Sequence, residues 1–331
     1  MLAVKPNLDY VWILKDGTRT INGAKVAKKG TIAAIYHLAT AKLWIDNSRK
    51  NAWVRKRRGQ YYVQTWHGDI CIKKIEKDAI DILGKEYEVS ARHDSQMADL
   101  MISGSTFRTN NYRQSFWYNG EILELGTPIS DIFYKNPSAI KNRVAAVFKL
   151  QDNTQIALYA PTFRDGDDVT CYNMDYEKLL YVLKQRWPGK WIVIVRLHPR
   201  IQALQGIVQY TDNVINGSCY DNFNELLVAS DLLITDYSSG MFQAAEAKKR
   251  VVLYASDYRD FLNGRGGYFD IKELPFPFTE TNAELQKAIL EFDEENYFWQ
   301  ISELKRQLGY FNSAESTILV VQNILNRVRW E

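Results

Sequence analysis

FNELLVASDLLITDYSSG, residues 223–240, decides the fold. Its first half has helical spacing, and Leu232–Ile234 then form a short apolar run that reads as a strand ending near Thr235. A second helix begins near Ser239 or Gly240 with GMFQAAEAKKR, and VVLYASD follows as another strand. A strand followed within a few residues by a covering helix is the unit of a parallel sheet.

The same alternation runs outward in both directions. LDYVWILKD, AKLWIDN, QYYVQTW, DLMISGS and EILELGTP read as strands before residue 130, with helical patterns over GTIAAIYHLATA, residues 77–100 and TFRTNNYRQSFW. NPSAIKNRVAAVFKL reads as a helix joining two halves. TQIALYAPTFRD and KWIVIVRLHPR are strands running into loops, separated by the amphipathic helix YEKLLYVLKQRW. The pattern predicts two doubly wound parallel-sheet domains facing across a cleft, divided at 1–135 and 136–331, with the last helix free to cross back.

Composition bounds the function without naming it. The 331 residues are 46% hydrophobic and 24% charged, an ordinary globular balance. No run of about 18 apolar residues predicts a membrane-spanning helix, and the N-terminus lacks a signal-peptide apolar core. Cys71, Cys171 and Cys219 are scattered, with no CxxC pair and no metal-ligand spacing, as expected of reduced thiols in the cytoplasm. The net charge of +3 is unevenly spread: SRKNAWVRKRR, residues 48–58, holds six basic residues and no acid. This stretch reads either as a solvated helix face or as a contact for an anionic membrane or polyanionic substrate through Arg55, Lys56, Arg57 and Arg58. No nucleic-acid-binding motif accompanies the charge.

Four polar clusters each follow an apolar strand: TWHGD, APTFRDGDD, RLHPR and TDYSSG. Ligands of open α/β sheets bind outside the carboxyl ends of the strands, so the four clusters predict one site. In TDYSSG, Ser238 or Ser239 is a good helix cap, and the same helix start suits a phosphate, with Asp236 beside it. Gly240 is read as letting an anion come close. Neither the Walker pattern nor GxGxxG is present. Arg196 and His198 combine a guanidinium and an imidazole that suit a diphosphate, or His198 simply bonds the backbone. Thr162 and Arg164 stand with Asp165, Asp167 and Asp168, which read as a turn more readily than as a metal site. His67 is one of four histidines and is followed at once by Gly68. It reads as a general base facing the phosphate binders, or as a structural histidine.

QTWHG, YAPTFRD, RLHP and DLLITDYSS, with RGGYFDIKELPFP, resemble in sequence and order the CDP-glycerol glycerophosphotransferases of teichoic acid and capsule synthesis. The resemblance runs from about residue 8 to residue 325. It implies a GT-B fold of two Rossmann-like domains, with the donor in the C-terminal one. It implies transfer of glycerol phosphate, or a related polyol phosphate such as ribitol phosphate, from a CDP donor to a hydroxyl of a lipid-linked saccharide or growing polymer. CMP is released, no cofactor or metal is required, and the protein sits on the inner face of the cell membrane. By the same resemblance His67 is the base, His198 binds donor phosphate, and Ser238 and Ser239 lie near the diphosphate. A UDP-sugar glycosyltransferase of the same fold, with Glu246 contacting the sugar, and a non-catalytic remnant are the alternatives.

The sequence departs from the family pattern in particular places. The usual Thr-Pro-Leu after WHG is Asp69-Ile70-Cys71, the Arg and Asn of G-x-P-R-N-D are Ile129 and Ser130, and the acid after the serines is Gln243. These changes suggest a different acceptor or altered handling of the donor. Only seven residues precede Leu8, so the first domain is expected to lack an initial strand.

Overall fold

The computed structural model of the protein describes residues 1–164, 169, 172–198, 206–259, 266–328 and 330. Among these residues the strands form three sheets. β1 (Val11–Leu14) and β2 (Lys25–Lys28) pair in parallel as a ribbon of their own, so the LDYVWILKD strand lies outside the larger sheets. α1 (Ile32–Thr40) follows, its first turn capped by the Thr31 hydroxyl accepting from the Ala34 N–H.

β3 (Leu43–Asp46), β4 (Tyr61–Gln64), α2 (Ile80–Met97), β5 (Leu100–Ile102), α3 (Thr106–Gln114) and β6 (Glu121–Leu123) then alternate. The four strands are parallel neighbours in chain order. Successive strand side chains face opposite ways, so these apolar runs supply two faces at once. Trp44, Tyr62 and Met101 pack with Tyr112 and Phe116 from α3 and its end, while Val63, Leu100, Ile102 and Leu123 form a separate core.

α4 (Pro137–Phe148) carries Asn136 as its cap and proline in its first turn. It leads to β7 (Gln155–Tyr159), α5 (Tyr176–Arg186), β8 (Trp191–Val195), β9 (Val214–Asn216), α6 (Phe223–Ala229), β10 (Leu232–Thr235), α7 (Gly240–Glu246), β11 (Arg250–Tyr254) and β12 (Phe278–Thr279). The sheet order is β12-β11-β10-β7-β8-β9, with every pair parallel. Counted from β7, this is the Rossmann order 3-2-1-4-5-6, and its direction reverses between β7 and β10. All five β8 residues and all four β10 residues are buried, which explains their unbroken apolar runs.

α8 (Asn282–Leu290), α9 (Glu294–Leu308) and α10 (Ser316–Arg327) close the chain. After α9 the backbone turns at Gly309, with φ +63°, and crosses to the smaller sheet. There the Phe311 N–H donates to the Gly104 carbonyl at 2.7 Å, and the Thr127 N–H donates to Asn312 Oδ1 at 2.8 Å. α10 then lays Val320 and Ile324 on the Val63 and Ile102 face. A second tie runs through the RGGYF motif, where Tyr268 Oη donates to Asp78 at 2.6 Å and accepts from the Asn111 amide at 2.9 Å.

Candidate active site

The switch point of the larger sheet gathers the loops that follow β7, β10 and β11. Asp236 is buried one residue past β10 and accepts from the Thr162 N–H, the Thr162 hydroxyl and the Tyr237 N–H. Arg164 spans from Asp236, at 2.7 Å, to Asp257, with contacts at 2.5 and 3.0 Å, and also donates to the Thr162 carbonyl. Its guanidinium lies 4.9 Å from the Tyr237 ring centre, and Tyr237 Oη donates to Asp257 at 2.9 Å. Burial opposes the Arg164 charge, but Asp257 and Asp236 more than offset it and hold its pKa above the usual range. Burial raises Asp257, and its contacts with Arg164 and Tyr237 outweigh this, leaving it below the usual carboxylate range. Four of the five guanidinium N–H donors are thus spent inside this brace. Thr162, Arg164 and Asp236 shape the loops, and the sequence gives no sign that Asp257 and Tyr237 complete the brace.

Arg196 and His198 take different neighbours. Arg196 lies over the Phe223 ring at 5.1 Å, and its Nη2 donates to the Tyr220 carbonyl at 3.3 Å. Its Nε is buried without a partner among the described residues, and burial pushes the guanidinium pKa down. A half-spent, partly desolvated guanidinium suits an anion. His198 is exposed, its ring 5.1 Å from that of Phe163 beyond β7. Ser238 Oγ accepts from the Gly240 N–H at 3.1 Å, whereas Ser239 makes no capping bond. Gly240 does not leave a gap for an anion: a Cβ there would stand 3.1 Å from the Phe223 ring. Its smallness lets α6 and α7 approach each other.

On the smaller sheet, β4 ends at Gln64, and Trp66 adopts φ +54° with its N–H bonded to Gln64 Oε1 at 2.9 Å. His67 is exposed, with its ring 4.3 Å from the Trp66 ring. Its Nδ1 is 3.0 Å from the Asn47 carbonyl oxygen, so Nδ1 is the donor, and in the neutral ring Nε2 is the acceptor. Arg49, paired with the buried Glu76 and Asp94, supports Trp66 from 5.3 Å. Two residues on, Asp69 is buried and accepts from the Gly104 N–H at 2.9 Å. Gly68 and Asp69 line a small pocket together with Ser239, Gln243 and Glu246 of the opposite half. The histidine loop and the start of α7 therefore adjoin each other.

The basic stretch is an irregular loop rather than a helix face. Lys56 is paired with Asp99, Arg57 donates to the Ala39 and Thr40 carbonyls at the end of α1, and Arg55 donates to the Val54 carbonyl; Arg58 is exposed. Asp165, Asp167, Asp168 and Arg200 lie outside the described residues. Among the described residues no cluster of three or more His, Cys, Asp or Glu side chains is arranged to hold a metal ion. No helix of the described residues is long and apolar enough to cross a membrane. A larger cavity of about 660 Å³, lined by residues such as Tyr268, Leu274 and Trp299, includes none of the predicted site residues.

A Rossmann sheet with polar loops at its switch point, facing a histidine loop on a second parallel sheet, defines a fold of the GT-B type. The structure aligns with that of the wall teichoic acid polymerase TagF at a TM-score of 0.86 and 25% identity, covering 99% of this chain and 83% of that one. Residues 1–326 match the family described as CDP-glycerol:poly(glycerophosphate) glycerophosphotransferase, and the chain belongs to that family. It is 29% identical to a teichoic acid poly(glycerol phosphate) polymerase of Bacillus spizizenii, covering 97% of this chain and 85% of the relative. It is 30% identical to one of Bacillus subtilis, covering 88% of this chain but 40% of that longer protein. Membership makes glycerol phosphate transfer the chain's family activity and sets aside the UDP-sugar reading.

Proposed function

We propose that the chain extends a teichoic acid polymer, moving glycerol phosphate from CDP-glycerol to the polymer's terminal hydroxyl. The observation that carries this reading is the junction of the His67 loop with the start of α7, at the switch point of the larger sheet. The donor diphosphate lies over that switch point, held by Arg196, His198, Ser238 and Ser239. The brace of Thr162, Arg164, Asp236 and Asp257 keeps the loops in place.

The acceptor oxygen attacks the β-phosphorus, the bond from that phosphorus to the bridging oxygen breaks, and CMP leaves with the electron pair. His67 Nε2 takes the hydroxyl proton, and the Asn47 carbonyl fixes its tautomer. Positioning and charge stabilisation supply most of the rate in phosphoryl transfer, so this picture needs neither metal nor cofactor. Acceptor-dependent release of CMP from CDP-glycerol tests the reading. Release with a glycerol phosphate primer supports it, and release only with another CDP-polyol or another acceptor overturns it.

The protein works at an anionic membrane surface, where a lipid-linked acceptor is held. Ile32, Ile35 and Tyr36 of α1 are exposed, Ile32 by 86%, and Trp53 by 60%. Lys28 and Lys29 precede the helix, and Arg55, Arg57 and Arg58 stand in the loop bonded to its end. Exposed apolar side chains rimmed by basic ones suit an interfacial helix.

A further inference from the structure

His67 stands between two residues of positive φ, Trp66 at +54° and Gly68 at +156°. A bulky residue stays in that region only where its surroundings hold it, so the direction of the imidazole depends on what grips the chain on either side. Before the histidine, the Trp66 N–H is bonded to Gln64 and the Trp66 ring is backed by Arg49. After it, the grip comes from Arg108 of α3, which is only 1% exposed. Arg108 Nε donates to the Asp69 carbonyl at 2.6 Å, and Nη1 donates to Asn111 Oδ1 at 2.7 Å. The donors of a guanidinium lie in one rigid plane, so the two bonds fix the Asp69 carbonyl relative to α3.

The contacts continue into the donor half. Asn111 Nδ2 donates to Tyr268 Oη at 2.9 Å, the Ile75 N–H donates to the same oxygen at 3.3 Å, and Tyr268 Oη donates to Asp78 Oδ2 at 2.6 Å. Tyr268 belongs to the RGGYF motif between β11 and β12, and the backbone around it is laced to the segment that follows His67. The Tyr268 N–H donates to the Ile72 carbonyl at 2.7 Å, the Lys74 N–H donates to the Gly266 carbonyl at 3.2 Å, and Lys73 and Gly267 form an antiparallel bridge. Ile70 and Ile72 are buried in the core of the larger sheet. The histidine loop therefore leaves the smaller sheet at β4 and is anchored a few residues later in the other half.

We propose that Arg108 and Tyr268 are positioning residues for the transfer: through Asn111 and the Asp69 carbonyl they hold His67 in register with a donor bound by the opposite half. The proposal rests on the reading of His67 as the base. A buried charge is costly to keep, and here its donors hold a main-chain oxygen and a carboxamide in place. In-line phosphoryl transfer depends on alignment of the base, the attacking hydroxyl and the phosphorus. The RGGYF motif supplies that alignment from the donor side, with Tyr268 Oη as the contact between the halves.

The test is the steady-state rate of CMP release from CDP-glycerol with a glycerol phosphate primer, for wild type, Tyr268→Phe, Arg108→Lys and each combined with His67→Ala. Tyr268→Phe removes one hydroxyl and keeps the ring, which meets Phe107 edge-on at 5.8 Å. Arg108→Lys keeps the charge and loses the planar fork. Each is expected to lower kcat about tenfold, with the KM for CDP-glycerol and the affinity for CMP within about twofold of wild type. In the His67→Ala background neither change lowers kcat further, because no base remains to be positioned. Wild-type kcat in either single variant overturns the role of that residue. A tenfold loss that is repeated in the His67→Ala background shows a merely structural effect and overturns the positioning role alone. Full turnover by His67→Ala itself overturns the base assignment on which the proposal rests.

Discussion

His67 Nδ1 donates to the backbone carbonyl of Asn47 at 3.0 Å, which leaves Nε2 as the acceptor nitrogen of the neutral ring. The partner is a main-chain atom held by the loop after β3, so the tautomer is set by the fold rather than by a mutable side chain. His67→Ala removes the base without touching the nucleotide site. Steady-state turnover is expected to fall by roughly 100-fold or more, while CDP-glycerol affinity stays within about twofold. Retained turnover would remove His67 from the mechanism.

Arg164 is braced between Asp236 and Asp257, and Tyr237 closes the ring of contacts. Asp257→Ala leaves part of a buried guanidinium unpaired. Urea unfolding is expected to show a loss of about 3 kcal/mol, with weaker CMP binding as the loops after β7 and β10 loosen. Asp257→Asn, which can still accept from the guanidinium, should restore most of the binding.

Glu246 gives the protein a pH dependence of defined sign. Its pKa is near 7 in the folded chain against an ordinary 4.5, raised first by burial and then by Asp69. Between those values the folded state holds a proton that the unfolded state has released. The stability from this group is complete below about 4.5 and is lost as pH rises through about 7, roughly 3 kcal/mol in all. Thermal melts from pH 5 to 8 should show a smaller decline for Glu246→Gln than for wild type. Equal slopes would mean that Glu246 does not hold the proton.

The exposed face of α1 gives a membrane prediction. Replacing Ile32 and Ile35 together with Glu should reduce co-sedimentation with phosphatidylglycerol vesicles about tenfold or more, without lowering the melting temperature. Replacing Arg57 and Arg58 with Gln should weaken binding mainly at low salt. Unchanged sedimentation of both variants would place the membrane contact elsewhere.

β8 and β10 of the larger sheet were readable because each is buried on both faces: WIVIV and DLLI are unbroken apolar runs closed by polar loops. β2 escaped because KVAK has lysine at both ends, and β9 and β12 are only three and two residues long. Placement of His67, Arg196 and Ser238 at strand ends follows from sequence position. Their partners do not, since Asp257 lies 93 residues from Arg164 and Glu246 lies 112 from Tyr134. Nor does the sequence reveal that residues 69, 129 and 243 meet, which happens only because the chain folds the two halves together.

The most direct test of the account is a structure of the protein soaked with CDP-glycerol. The account predicts the diphosphate at the switch point between β7 and β10, within hydrogen-bonding reach of Ser238 or Ser239, Arg196 and His198, with its β-phosphorus toward His67 Nε2. A diphosphate bound away from that switch point, or a β-phosphorus turned away from His67, would contradict it.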